Sequence, residues 1–110
     1  MEEQDITPGP ALSRLQRRRA LAARLVARGA GALDGHFGSR TAWAGRINRP
    51  YLDMGNTSWC IIGQLFGNYW TDDAWFLTER GSEYGFNVDP TNGVTFEDLR
   101  TAWLKILDES

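Results

Sequence analysis

The chain has one cysteine, one histidine and one lysine among 110 residues. A lone cysteine cannot close an internal disulfide, and Cys60 with His36 falls short of the ligand set of an ordinary zinc site. Lys105, the single lysine, sits near the C-terminal end with no glycine-rich run before it, which excludes nucleotide hydrolysis through a GxxxxGK[ST] loop. No apolar run approaches the roughly 18 residues that cross a bilayer, and the opening MEEQDITPGP is acidic and proline-bearing, unlike a signal peptide. These absences set the expectation of a cytoplasmic protein with no structural metal, no cofactor and no membrane association.

What is present fits a globular chain. Hydrophobic residues make up 42% and charged residues 24%, close to the averages for folded soluble proteins. Folding at this length removes roughly two-thirds of the unfolded surface from water, which supports one modest core. Five tryptophans, five phenylalanines and three tyrosines are available to fill it. Residues 1–10, with Pro8 and Pro10, read as a disordered leader, and 11–110 as a single domain.

The net charge of −2 conceals a strong asymmetry. Residues 1–50 carry nine arginines against four acids, whereas residues 51–110 carry three basic residues against ten acids. Such a split implies either pairing between the halves or two outward faces of opposite sign.

The segment ALSRLQRRRALAARLVARG, residues 11–29, is rich in good helix formers and should be helical, ending where Gly29 and Gly31 weaken it. At 100° per residue Leu12, Leu15, Ala22, Ala23, Val26 and Ala30 share one side. Arg14, Arg17, Arg24 and Arg28 share the opposite side, with Leu21 and Leu25 within or beside that stripe. A short helix is expected over 39–48, capped by Ser39 or Thr41, with Trp43 and Ile47 on one face. Asn56, Thr57 and Ser58 are three candidate caps before WCIIGQLFGNYW, an almost wholly apolar run that reads as a central helix, Trp59–Trp70, sandwiched by the first and last helices. Thr71 with Asp72 and Asp73 opens another short helix that Gly81 ends. Residues 86–96, built around DPTNG, allow a small hairpin. Thr95 with Asp98 forms a capping-box pattern ahead of a terminal helix bearing Phe96, Leu99, Trp103, Ile106 and Leu107. The expected fold is mainly α, with four or five short helices and at most a minor hairpin near 86–96.

Catalytic chemistry finds little support. Cys60 near a helix start could be activated by the dipole, with His36 as base and Asp53 as orienting acid, but a buried apolar cysteine is the commoner use of such a residue. GAGALDG follows a helix rather than a strand and lacks the third glycine of a dinucleotide fingerprint. NVDPTNGVTFE fails as a calcium loop, because Val88 would hold the first ligand position. Gly63 and Gly67 form a GxxxG pair that would let another helix or an aromatic ring approach the central backbone.

The strongest functional candidate is therefore the basic stripe, comprising Arg14, Arg17, Arg18, Arg24 and Arg28 with Leu21 and Leu25. Arginines along one helix face can dock on an acidic protein or contact successive phosphates of a nucleic acid. An overall acidic chain, with a calculated pI near 5.3, favours the protein partner. Head-to-tail self-association of basic and acidic faces is a further use of the same asymmetry.

Leu52 and Asp53 followed by the run from Cys60 through Gly63, Gln64, Leu65, Phe66 and Gly67 to Tyr69 resemble a block, C[IV][IL]GQLFGxY, shared by short proteins of actinobacteria and their phages. The likeness extends more loosely to Trp43, Ile47, Tyr84-Gly85-Phe86, Leu99 and Trp103, covering about residues 33–107. It implies a fold signature around one helix and transfers no activity, cofactor or catalytic residue. Gln64, the polar member of an apolar run, must satisfy its amide on loop backbone or face a partner. The function expected from these features is that of a non-enzymatic phage or prophage accessory protein that binds a host protein. The alternatives are a small DNA-binding regulator using the first helix and a cysteine-dependent hydrolase.

Overall fold

Alanine, leucine and arginine drive formation of the first helix. The computed structural model, which describes residues 10–110, extends that helix well past Gly29: α1 spans Pro10–Phe37, 28 residues or about 42 Å at 1.5 Å per residue. Pro10 occupies its first turn, where a missing N–H costs little. The rest of the expected leader lies outside the described residues.

Helical glycine costs roughly 1 kcal/mol relative to alanine, so the passage of α1 through Gly29 needs a compensating contact. A Cβ at Gly29 would lie 2.0 Å from the Tyr84 carbonyl oxygen and 3.0 Å from the Trp103 ring. The residue read as a helix breaker is thus the point where another backbone lies directly on α1. The helix stops at Gly38, whose φ of 97° turns the chain and whose N–H donates to the Asp34 carbonyl at 2.8 Å.

Ser39 caps α2, Arg40–Ala44, by accepting from the Ala42 amide. This helix is shorter than the expected 39–48, yet Trp43 and Ile47 are both buried because tight turns at Arg46 and Ile47 continue the path inward.

The central apolar run also forms a shorter helix than expected. Ile61–Phe66 is α3, while Trp59 and Trp70 lie outside it and are exposed, Trp70 by 69%. Apolar composition at the ends of the run was misleading as a sign of burial. None of Asn56, Thr57 and Ser58 is the cap: the Cys60 Sγ accepts from the Gly63 amide at 3.3 Å, and Asn56 instead folds the preceding loop by accepting from the Ser58 and Trp59 amides. Gly63 does permit close approach, but of the Thr57–Ser58 loop backbone rather than of a helix or ring. The expected sandwich is replaced by direct packing of the first helix on the last, with α3 lying against its own loop and the 3-10 turn Asp72–Ala74.

That turn leads into α4, Trp75–Thr78, and a second 3-10 turn, Gly81–Tyr84, follows. Thr71 makes no side-chain cap bond. Residues 86–96 form no strand among the described residues. The amides of Phe86 and Asn87 both turn back to the Gly81 carbonyl, while Asp89 accepts from the Thr91 amide and Asn92 from the Val94 amide. Local side-chain acceptors thereby replace the cross-strand ladder.

The last helix, α5, spans Phe96–Asp108, and both bonds of the Thr95–Asp98 capping box are made. It supplies Leu99, Trp103 and Leu107 to the core, and α1 supplies Ala22, Val26, Ala30 and Leu33. Trp103 stacks on Phe86 at 5.4 Å with a 14° interplanar angle and meets the edge of Trp43 at 6.1 Å. Its indole N–H donates to the Gly85 carbonyl at 2.7 Å, satisfying the one polar atom of its side chain.

Candidate functional site

The buried face of α1 follows Ala22, Leu25, Val26, Gly29, Ala30 and Leu33, an i, i+3, i+4 progression. Leu25 belongs to this face and is 8% exposed, so it leaves the candidate surface: the chain's own core covers it. Leu21 is half-buried at the margin. Ala23, expected on the apolar side, is exposed, as is Arg19.

Arg14, Arg17, Arg24 and Arg28 are exposed along one side of the helix, and among the described residues none forms an ion pair. Arg18 lies at the edge of the stripe and is fixed. Its Nε donates to Asp98 at 2.8 Å, and that carboxylate also accepts from the Thr95 amide. Burial pushes the Asp98 carboxyl up, but the Thr95 amide, Arg18 and the Thr95 hydroxyl more than offset this and hold it below the ordinary carboxylate value. The capping box of α5 therefore sets the position of one arginine of α1.

Arg14, Arg17, Arg18 and Leu21 line a cleft of about 390 Å³ whose opposite wall is Asn92 and Gly93. The chain thus brings the N-terminal half of the stripe into a single recess, while Arg24 and Arg28 continue along the helix beyond it. Asn92, Gly93 and the anchoring Asp98 were not identifiable from sequence as parts of this site. Asn92 and Gly93 read as a turn and Asp98 as a cap, and only tertiary structure brings them to α1.

The acidic half does not cover this face. Among the described residues Asp98 alone of the C-terminal acids pairs with a stripe arginine, and Asp108 pairs with Arg49. Of the remaining N-terminal basic residues, Arg40, Arg46 and Arg49 serve the fold, while Arg19 is exposed. Arg40 makes a two-pronged bond to Asp34, which also accepts from the Trp43 indole at 2.8 Å. The Arg40 bond holds the Asp34 carboxyl below its ordinary value against desolvation. Arg46 lies over the Phe37 ring, and Arg49 donates to the Leu107 carbonyl.

The cysteine arrangement does not assemble as a triad. Cys60 is buried, and burial pushes its thiol above the ordinary value, outweighing the amides of α3 that lower it, with Asp53 adding a further upward push. His36 instead packs among aromatic rings, edge-on to Phe37 and tilted against Phe66 and Phe76. A recess of about 170 Å³ beside Cys60, lined in part by Tyr69, Trp70, Asn87 and Phe96, is smaller than a drug-sized site. Gln64 is satisfied on backbone: its amide nitrogen donates to the carbonyls of Asn48 and Trp59, and its oxygen accepts from the Asn48 amide. Among the described residues no group of three or more His, Cys, Asp and Glu could hold a metal, and no helix is long and apolar enough to cross a membrane.

No family model, no curated protein and no solved structure matches this chain.

Proposed function

We propose that this protein is a non-enzymatic binding protein that docks an acidic surface of another protein through the arginine face of α1. The resemblance of the block around Cys60–Tyr69 to short proteins of actinobacteria and their phages supports reading this protein as a phage or prophage accessory protein acting inside a bacterial host. The observation that carries it is the outward run of Arg14, Arg17, Arg24 and Arg28, left uncovered by the acids of the second half among the described residues. The stripe costs the fold electrostatic self-repulsion, and an acidic partner would relieve it.

The test is affinity capture from host lysate with wild-type protein and with a variant carrying glutamate at positions 14, 17, 24 and 28. A partner retained by the first and lost by the second supports the reading, and equal retention refutes it. A second reading, a small DNA-binding regulator, draws on the spacing of the same arginines over about 21 Å of helix. It requires duplex binding whose affinity falls steeply with salt.

A further inference from the structure

We infer that the cleft between α1 and the Asn92–Gly93 turn recognises a phosphomonoester carried by a side chain of the protein partner. This rests on the docking reading and names the group that the docking surface reads.

The argument begins with the chemistry of the lining. Arg14, Arg17 and Arg18 line one recess, and among the described residues its lining contains no carboxylate. Arg18 spends its Nε on Asp98, which leaves its two terminal nitrogens as donors. Asn92 is oriented in the same sense: its side-chain oxygen accepts from the Val94 amide at 2.9 Å, so its remaining polar end is the NH2 group. The side-chain acceptor among the lining residues is thus already engaged, and the polar groups those side chains have left are donors.

Shape decides between anions. A nucleic-acid backbone needs an open track, whereas here the 92–93 turn walls one side of the stripe at Arg14–Leu21. A protruding terminal group fits such a recess. A phosphomonoester carries about 1.5 to 2 negative charges at pH 7 and three terminal oxygens, enough to engage several guanidinium forks at once, whereas a carboxylate offers two oxygens and one charge. Half-buried Leu21 supplies an apolar contact for the carbon skeleton bearing the phosphate. Asp98, 7% exposed and held by the capping box, fixes Arg18 before the ligand arrives.

The experiment is an NMR titration of the full chain with phenyl phosphate, with benzoate and with an oligodeoxynucleotide lacking terminal phosphates. Saturable shifts at the Asn92 side-chain amide and the Arg18 Nε–H are expected with phenyl phosphate, with benzoate weaker by about tenfold. Lowering the pH from 7.5 to 5.0, through the second phosphate ionisation near 6, should weaken phenyl phosphate binding and leave benzoate binding nearly unchanged. Arg14→Gln and Arg17→Gln should each weaken it about fivefold, and Arg80→Gln, away from the cleft, should not. Asp98→Asn should weaken it by freeing Arg18; because that change also touches a helix cap, the exposed Arg14 variant carries the test if Asp98→Asn does not fold. Equal binding of benzoate, preference for the phosphodiester strand, or shifts spread evenly along α1 would each overturn the phosphate inference. Capture of an acidic host protein that survives phosphatase treatment would also overturn it while leaving the docking reading intact.

Discussion

The two parts of α1 differ in residues and in work: Arg14–Arg28 carries six arginines and Gly29–Phe37 carries none. From Gly29 to Phe37 the helix is committed to the fold: Gly29 receives the Tyr84 carbonyl, Leu33 is fully buried, and Asp34 ties α1 to α2 through Arg40 and Trp43. From Arg14 to Arg28 the inner side packs on the core while the outer side presents charge. Arg18, clamped by Asp98, is where the two roles meet. The difference teaches that charge on a helix says little about its use until its partners are known. Arg40 and Arg49 have carboxylate partners within the chain, and Arg14, Arg17, Arg24 and Arg28 have none among the described residues.

This contrast can be broken from the buried side first. Trp103→Ala removes a ring stacked on Phe86 and leaves the Gly85 carbonyl without its donor, so a loss of about 3–5 kcal/mol is expected in urea unfolding. Gly29→Val drives side-chain atoms into the Tyr84 carbonyl and should cost about 3 kcal/mol by the same measurement, whereas Gly31→Ala, with open space around it, should be neutral or stabilising. A Gly29→Val protein as stable as wild type would mean that α1 and the 81–85 segment are less tightly apposed than described.

Next comes acidification. Asp34 and Asp98 are both held below their ordinary value of 3.8 in the folded chain, so folding favours their charged forms. Their stabilisation is complete above the unfolded value and is lost as the pH falls below it through the folded values. Thermal melts between pH 6 and 2 should therefore show the Tm falling most steeply below about pH 4, and Asp34→Asn should flatten that fall. An unchanged acid limb in this variant would remove Asp34 from the account.

The smallest stability effect is expected where the largest binding effect is proposed. Reversing Arg14, Arg17, Arg24 and Arg28 to glutamate should change unfolding free energy by less than about 1 kcal/mol, since each is an exposed residue without a partner among those described. A larger loss would show that the stripe is part of the fold after all. Cys60, buried and raised, should react with a thiol reagent only on the timescale of unfolding.

What could be read in advance depended on how local the cause was. The capping box at Thr95 and the spacing of Leu99, Trp103 and Leu107 define α5 within one stretch of chain, and the structure follows them closely. Gly29 misled because its role is set by Tyr84, 55 residues away, and glycine for close approach looks in sequence like glycine for termination. The Trp59–Trp70 run misled because uniform apolarity carries no phase: it cannot say which members are buried. For the candidate site, the arginine stripe follows from helical periodicity alone. The assignment of Leu25 to the core and of Asn92 and Gly93 to the facing wall required the packing of α1 against distant segments.

The tryptophans supply their own spectroscopy. Trp43 and Trp103 are sealed in the core, each with its indole N–H engaged, while Trp59, Trp70 and Trp75 face solvent. Emission from this chain is thus a sum of a blue, protected pair and a red, quenchable trio. Acrylamide will extinguish the trio first, and the residual blue band will report on the α1–α5 core without any label.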